Sequence, residues 1–475
     1  CAERACTTKG ERMSRPRAER TLLKDHWVVD PASRRAGMAT VEVHSGKIAR
    51  LEWRDRIVEA RRTFIEGAEP GPKDPTKMIL PALVDLHAHF RQPGAGASED
   101  VASGEAAAAH GGYGAVALMP NSEPAADHPA LLRELVRSES PLGLALMPIA
   151  AATLGRAGVA LSPMAELAAA GAVAFSDDGS PIADPALFRN ALISAGALGL
   201  PLIEHCEDPA LTTGGEAADG LVATSLGLKP WPAAGEISAV VRNIALLREA
   251  LYDEPRARLH LTHLSTAVAL DAVRAARAEG LPITCDVTPH HISLTDAWIA
   301  GDRRWAWEFS DRRPAELNPS ADAYDTNLRV CPPLRNAADA AACRAALRDG
   351  TASAIATDHA PHSREKKEIE FGLAANGIAG IETALSVALA AHAAGELPLS
   401  LLVAALTTGP AAVLGRPELA RGLTVGGPAN LVVVDRAASW TVSRGTLVGR
   451  SANTPLLGRK LHGTVLLTLI NGEVA

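Results

Sequence analysis

The segment DLHAHF places His87 and His89 two residues apart, with Asp85 and Arg91 at the same parity. In an extended strand, residues at that spacing point to one face. Two imidazoles on one face can hold a divalent cation, with metal–nitrogen distances of about 2.0–2.1 Å. An H-x-H pair alone is a weak signal. It gains weight from His205 in IEHCED, His263 in HLTHLS, Asp358 in ATDHAPH, and Asp177 and Asp178 in FSDDG. Each alone reads as an ordinary polar residue at a strand–loop junction. Together they are a set of metal-ligand types, each at the end of its own apolar run. Neutral imidazoles and carboxylates suit Zn²⁺ best, and Mn²⁺ and Fe²⁺ accept overlapping donors. A cation so held brings the pKa of a bound water to about 7 and polarises a carbonyl. A neighbouring carboxylate can move protons. The chemistry implied is hydrolysis of an amide-like C–N bond, or its reversal.

Something must bring these residues together. Eight short apolar segments alternate with Ala/Leu-rich helical stretches across residues 78–415: LVDLHAHF, GAVALMPN, LALMPIAA, AVAFSDDG, LPLIEHCED, RLHLTHLS, ITCDVTPHH and SAIATDHAPH. This alternation predicts an α/β fold, a TIM (β/α)8 barrel, as the catalytic domain. Polar or titratable residues gather at the C-terminal ends of all but the third segment, where barrel enzymes place their sites. Residues 21–77 and 416–475 read as short strands with turns between them and are expected to form one composite small β-domain. Within the first part, residues 61–77 read as a connecting loop. Residues 1–20 read as a loose tail outside the fold. Residues 300–326, with Trp305 and Trp307 among charges, read as an insertion after the seventh strand. It is expected to be a surface excursion, or else a lid or docking segment.

Composition narrows the classes. The chain has 475 residues, 47% apolar and 21% charged, which suits a sizeable core and excludes a disordered or collagen-like chain. A net charge of −7 is not the footprint of a nucleic-acid binder. Six cysteines without C-x-x-C spacing point to a reducing, cytoplasmic setting rather than a disulfide framework. No apolar run is long enough to span a membrane, and the polar, basic start reads against a signal peptide.

The segments DLHAHFRQPG, GGYGAVALMPNSEP, AFSDDGSPIADPALF, IEHCED, HLTHLS, DVTPHHISLTD, PPLR, ATDHAPH and GIAGIETALS follow one another between residues 80 and 390. In this order they resemble the cyclic amidohydrolases, most closely the class I dihydroorotases. The flanking β-segments are similar to that family's split small domain, a β-sandwich. The resemblance implies one or two Zn²⁺ ions on His87, His89, His205 and His263, with Asp358 as both ligand and acid/base. Related hydantoinases, dihydropyrimidinases and allantoinases bridge two metals with a carboxylated lysine on strand four. Here no lysine lies between Lys77 and Lys229. Class I dihydroorotases give that role to an aspartate of the D-D-G turn, and the match falls on Asp178. The resemblance also implies that Arg91 clamps a substrate α-carboxylate, with Asn121 and His362 completing the clamp. The reaction implied is the interconversion of N-carbamoyl-L-aspartate and L-dihydroorotate plus water, in de novo pyrimidine biosynthesis. The implied partners are this small-molecule substrate and either further copies of the chain or an aspartate transcarbamoylase.

Two departures concern the site. Gln92 stands where the family usually has Glu, and Cys331 stands where it usually has an Asn that contacts the substrate ring. The charged loop after His362, SREKKEIEF, is expected to close over substrate. His260, His290, His291 and His359 are expected to orient ligands, and Cys206 is not expected to be a nucleophile. Two other readings fit less well. One is a hydantoinase or allantoinase, which Cys331 favours and the missing lysine opposes. The other is a non-catalytic subunit scaffolding a transcarbamoylase, which the filled ligand positions oppose.

Overall fold

The computed structural model describes residues 20–59, 69–71, 73–137, 140–309 and 319–475. The expected tail, save Arg20, lies outside the described residues, as do residues 61–68 and 72 of the expected loop and 310–318 of the expected insertion. The chain opens with three antiparallel strands, β1 Arg20–Asp30, β2 Arg35–His44 and β3 Lys47–Glu59. Next comes β4, Lys77–Pro81, which runs through Ala82 into β5, Leu83–Ala88. Here the pattern changes to parallel strands separated by helices: β6 Tyr113–Leu118, β7 Ala145–Pro148, β8 Ala150–Ala151, β9 Phe175–Ser176 and β10 Leu202–His205. A two-residue pair, β11 Ala217–Ala218 and β12 Pro230–Trp231, sits in the excursion after β10. The parallel series resumes with β13 Leu259–Thr262, β14 Ile283–Val287 and β15 Ala352–Ile355. The last strands are β16 Leu431–Thr441, β17 Lys460–Ile470 and β18 Glu473–Val474.

The parallel strands follow chain order in space. One sheet runs β5-β6-β7 and a second β8-β9-β10-β13-β14-β15. β7 and β8 are one strand interrupted at Ile149, so the two sheets are continuous there. At the opposite seam, a single parallel bridge joins Ala88 to His359, and the His89 N–H donates to the His359 carbonyl at 2.9 Å. The buried Asp85 carboxylate reinforces the seam, accepting the Thr357 N–H at 2.9 Å and the Thr357 hydroxyl at 2.5 Å. The ring of eight strand positions is the α/β barrel that the alternation predicts. Helices pack outside it on small residues. The helix Val101–His110 presents Gly104 to the Phe90 ring, where a Cβ would stand 2.5 Å from a ring carbon. That close approach fixes the chain just past His89.

The terminal strands form one seven-stranded sheet, ordered β18-β17-β16-β4-β1-β2-β3. A sandwich is the expectation; the ladder is a single sheet that folds over itself. Its β2–β3 turn meets its β17–β18 turn, where Gly46 and Gly472 touch backbone to backbone. Val28, Val41, Ile48, Ile79, Leu431 and Leu469 fill the fold.

The described flanks of residues 300–326 differ from a surface excursion. Trp305 is buried, stacks on Trp307 at 5.2 Å between ring centroids, and lies 3.9 Å under the Arg459 guanidinium. Aromatic area buries well against aliphatic neighbours and cations. These residues join a core of Leu294, Trp298, Leu456 and Leu461 between the barrel and the C-terminal segment. The loop after His362 is also anchored. Lys367 is buried and donates to the carbonyls of Ala375 at 2.7 Å and Gly377 at 3.2 Å.

Candidate metal centre and substrate pocket

Six of the residues singled out above lie at the C-terminal rim of five strands. His87 is in β5 and His89 just beyond it, Asp178 follows β9, His205 ends β10, His263 follows β13 and Asp358 follows β15. All six are buried. Arg91, His263 and Asp358 have positive φ, at 57°, 42° and 47°. Non-glycine residues rarely hold that conformation, and where they do it is often at functional sites. Here it turns side chains inward as each strand ends.

Asp178 sits at the middle of the set. Its Oδ1 lies 3.5 Å from His87 Nε2, 3.8 Å from His205 Nδ1 and 3.7 Å from His263 Nε2. Its Oδ2 lies 3.7 Å from His89 Nε2. His87 Nε2 and His89 Nε2 are 3.2 Å apart, and His205 Nδ1 and His263 Nε2 are 3.0 Å apart. Asp358 Oδ1 lies 3.3 Å from His89 Nε2 and 3.6 Å from His87 Nε2. Donors bound tetrahedrally at about 2.0–2.2 Å stand roughly 3.3–3.6 Å from one another. The spacings fit that range within a few tenths of an ångström. The donors divide into two groups, His87, His89 and Asp178 on one side and Asp178, His205 and His263 on the other. Asp178 belongs to both, so the set can hold one cation or two bridged by its carboxylate.

The hydrogen bonds behind the imidazoles aim their lone pairs at this point. His87 Nδ1 meets Thr262 Oγ1 at 2.9 Å, and that hydroxyl donates to Asp286 Oδ2 at 3.1 Å. The chain requires Nδ1–H on His87 and leaves Nε2 bare. His89 donates from Nδ1 to Asn121 Oδ1 at 2.7 Å, which again frees Nε2. His205 donates from Nε2 to Glu207 Oε2 at 2.9 Å, which frees Nδ1. Asp286 also accepts the His263 N–H at 2.7 Å and His260 Nε2 at 2.7 Å. Such partners fix ring orientation and tautomer in metal sites.

Charge accounting agrees. Burial opposes a charged imidazole, yet Asp178, Asp358 and Asp286 together lift His87 to about 9. His205 is likewise held well above the usual range against burial, by Cys331, Glu207 and Asp178. Burial and Arg91 push His89 down. Asp178 and Asp358 stay well below the ordinary carboxylate range despite burial, because imidazoles surround them. Without a cation, protons hold the positive charge that the carboxylates demand.

Asp177 and Asp178 divide cleanly. Asp177 turns away, accepting the N–H groups of Ala152 and Thr153 at 2.9 and 3.0 Å and tying β9 to the end of β8. The expected carboxylate clamp lies beside the metal candidates, in a cavity of about 370 Å³ lined by Arg91, Asn121, Cys331, Asp358 and His362. Arg91 anchors Nε on the Pro361 carbonyl at 3.2 Å, and its Nη2 comes 3.4 Å from His362 Nε2. His362 Nε2 is also 2.7 Å from the Asn376 carbonyl, so Nε2 carries a proton and cannot accept from Arg91. Burial and Arg91 bring the His362 pKa down to about 3, keeping the ring neutral. Asn121 spends its carbonyl on His89 and one amide hydrogen on Asp178 Oδ2 at 3.1 Å, leaving the second hydrogen for a ligand.

Sequence reasoning passed over three contributors: Glu207, Thr262 and Asp286. Glu207 sits in the motif IEHCED, two residues after His205, and that spacing was the available signal. Gln92, the first departure, caps the next helix by accepting the Val101 N–H at 3.0 Å. Cys331, the second, has its Sγ 3.8 Å from His205 Nε2 and 3.5 Å from Glu207 Oε2.

A barrel with imidazoles and carboxylates around one rim point is the architecture of metal-dependent amide hydrolases, and the comparisons agree. The family model described as Amidohydrolase family matches residues 245–475, and that described as Dihydro-orotase-like matches residues 76–266. A dihydroorotase of Anaeromyxobacter dehalogenans is 42% identical over 448 residues, covering 94% of this chain and 95% of the relative. One from Pelotomaculum thermopropionicum is 38% identical over 454 residues, covering 95% and 97%. Among solved structures, an L-hydantoinase from Arthrobacter aurescens superposes with a TM-score of 0.76 at 22% identity, over 95% of each chain. That likeness concerns the fold. The chain belongs to the dihydroorotase family of the amidohydrolases.

Proposed function

We propose that this protein is a zinc-dependent dihydroorotase, interconverting N-carbamoyl-L-aspartate and L-dihydroorotate plus water in the cytoplasm, with one or two zinc ions per chain. The observation that carries this reading is the gathering of four imidazoles around Asp178 with Arg91 in the same cavity. A bound cation supplies Lewis acidity, polarising the ring carbonyl and bringing the pKa of a water to about 7. His87, His89, His205, His263 and Asp178 would hold it, and Asp358 would complete the set. Asp358, ionised and 3.3 Å from His89 Nε2, takes the proton of the attacking water and delivers it to the departing amide nitrogen. Arg91 meets the substrate carboxylate with its planar fork. The spare amide hydrogen of Asn121 adds a second contact. His362 reaches the carboxylate by exchanging the Asn376 carbonyl for it. Holding the carboxylate places the ring carbonyl over Asp178 and Asp358, which is a large part of the rate advantage.

A hydantoinase or allantoinase reading draws on one observation, the thiol of Cys331 in the pocket wall. Assaying the purified protein for carbamoyl-aspartate cyclisation, dihydroorotate hydrolysis, and hydantoin and allantoin hydrolysis separates the readings. Turnover of the first pair, with the others at least about 100-fold slower, is expected, since a carboxylate-binding arginine discriminates by several kcal/mol. Hydantoin or allantoin as the better substrate would contradict the proposal.

A further inference from the structure

His205 has two faces. Its Nδ1 looks into the centre described above, and its Nε2 looks outward at Glu207 Oε2, 2.9 Å away, and Cys331 Sγ, 3.8 Å away. The thiol and the carboxylate are 3.5 Å apart. For a tetrahedral cation with nitrogen or oxygen at about 2.0–2.1 Å and sulfur at about 2.3 Å, neighbouring donors stand roughly 3.4–3.7 Å apart. The two contacts to sulfur lie at or just beyond that range. The His205–Glu207 contact is a hydrogen bond that opens by about half an ångström when a cation replaces its proton. His205 is buried, whereas Glu207 and Cys331 are half-buried and line the cavity, so a cation can enter from solvent.

We infer that His205 Nε2, Glu207 Oε2 and Cys331 Sγ form a separate outer site for one thiophilic divalent cation, Zn²⁺ foremost, in the wall of the substrate pocket. A carboxylate and an imidazole would serve many divalent ions, and the thiolate narrows the choice to soft ones. On binding, the N–H proton of His205 and the S–H proton of Cys331 leave to solvent, and N–metal, O–metal and S–metal bonds form. No redox change is involved. With the inner centre filled, the His205 ring then bridges two cations. An ion in this wall crowds the side of the cavity where a substrate ring would lie, so excess zinc inhibits.

The inference shares His205 with the proposed inner centre, and the experiment reads the two separately. Chelator-stripped protein is titrated with Co²⁺ while absorbance and bound metal are followed. The visible cobalt bands that do not depend on Cys331 report the inner centre. A thiolate-to-cobalt charge-transfer absorption in the near ultraviolet reports the outer site. Wild type is expected to take up one more ion per chain than Cys331→Ala, and the charge-transfer absorption is expected to vanish in that variant while the visible bands remain. Cys331→Ser gives the same reading if the alanine variant folds poorly, and Glu207→Gln should weaken the outer ion without removing the visible bands. Cys206→Ala should keep the absorption, because that thiol is buried and contacts the Glu204 carbonyl. An absorption that persists in Cys331→Ala, or that never arises in wild type, overturns the inference. A protein inert towards dihydroorotate that still shows the Cys331-dependent absorption contradicts the proposed function and supports this site.

Discussion

At the scale of residues, the tautomer-setting hydrogen bonds matter as much as the candidate ligands themselves. A histidine offers a lone pair to a cation only from the nitrogen without a proton. Thr262, Asn121 and Glu207 take the protons of His87, His89 and His205 on the side away from Asp178. The ring nitrogens that can take up a cation therefore face Asp178 before any cation arrives, and a cation that binds there replaces the protons they hold. This has a pH consequence. His87 is raised to about 9, so its second proton is held until the pH rises through that value. A cation must displace it, and metal affinity should rise as pH increases from 6 towards 9 and then level off, with protons released on binding. Competition titrations with a chelator at several pH values, with a dye to count protons, check this; a pH-independent affinity would contradict it. Arg91 leads to a kinetic expectation. Arg91→Met should raise KM for dihydroorotate by about 10- to 100-fold with kcat changed far less, as expected for loss of one buried charge-assisted pair. An unchanged KM would remove Arg91 from the clamp. The types and spacing of the ligand candidates were legible because H-x-H parity and strand-end positions are local signals. Thr262 and Asp286 were not, because their contacts to His87 and His263 come from chain folding rather than from any spacing.

At the scale of elements, neighbouring strands act as mutual jigs. Asp286, near the end of β14, reaches across to β13, binding Thr262, the His263 backbone and His260 at once. Asp286→Asn keeps the volume but loses two acceptor lone pairs. It should lower metal affinity by about 10- to 100-fold, the usual effect of removing such a support. Chelator competition on the variant measures this, and wild-type affinity would show that β13 holds its histidine without help. The eight apolar segments were readable because each is short, apolar and bounded by turn residues or a helix. Their pairing is thinner than the segments suggest. β8 and β9 are two residues long, and the seam between β5 and β15 rests on one bridge and the Asp85–Thr357 bonds. Residues 300–326 misled because their charge is high, yet Trp305 contributes its ring to a core whose other members lie far along the chain.

At the scale of the whole molecule, the two ends of the chain share one sheet, and β4 passes directly from that sheet into the first barrel strand. The sheet also grips the barrel from outside. Thr468 in β17 donates to the Ala109 carbonyl at 2.7 Å, and Ser386 donates to the Gly463 carbonyl at 2.8 Å. Thr468→Val keeps the shape and removes one hydrogen bond from the Ala109 carbonyl, which still accepts the Gly112 N–H at 3.0 Å, so the loss is that of one ordinary buried hydrogen bond, about 0.5–1.5 kcal/mol. A lowered thermal midpoint with unchanged metal content is the expected result, and an unaltered midpoint would mean the contact contributes nothing. Turn residues and alternation revealed strands at both ends of the sequence. The single folded-over sheet was not legible, because the contact between Gly46 and Gly472 depends on sheet curvature that no local pattern encodes. Among the described residues, no helix is long and apolar enough to cross a membrane. The central claim is that the six rim residues bind the cation on which amide chemistry depends. Its most direct test is to strip the protein with chelator, restore Zn²⁺ stepwise, and measure bound zinc and dihydroorotate hydrolysis on the same samples. The rate should be near zero without metal and rise in proportion to the first one or two ions bound per chain. Full activity in the stripped protein, or none with those ions in place, would contradict the account.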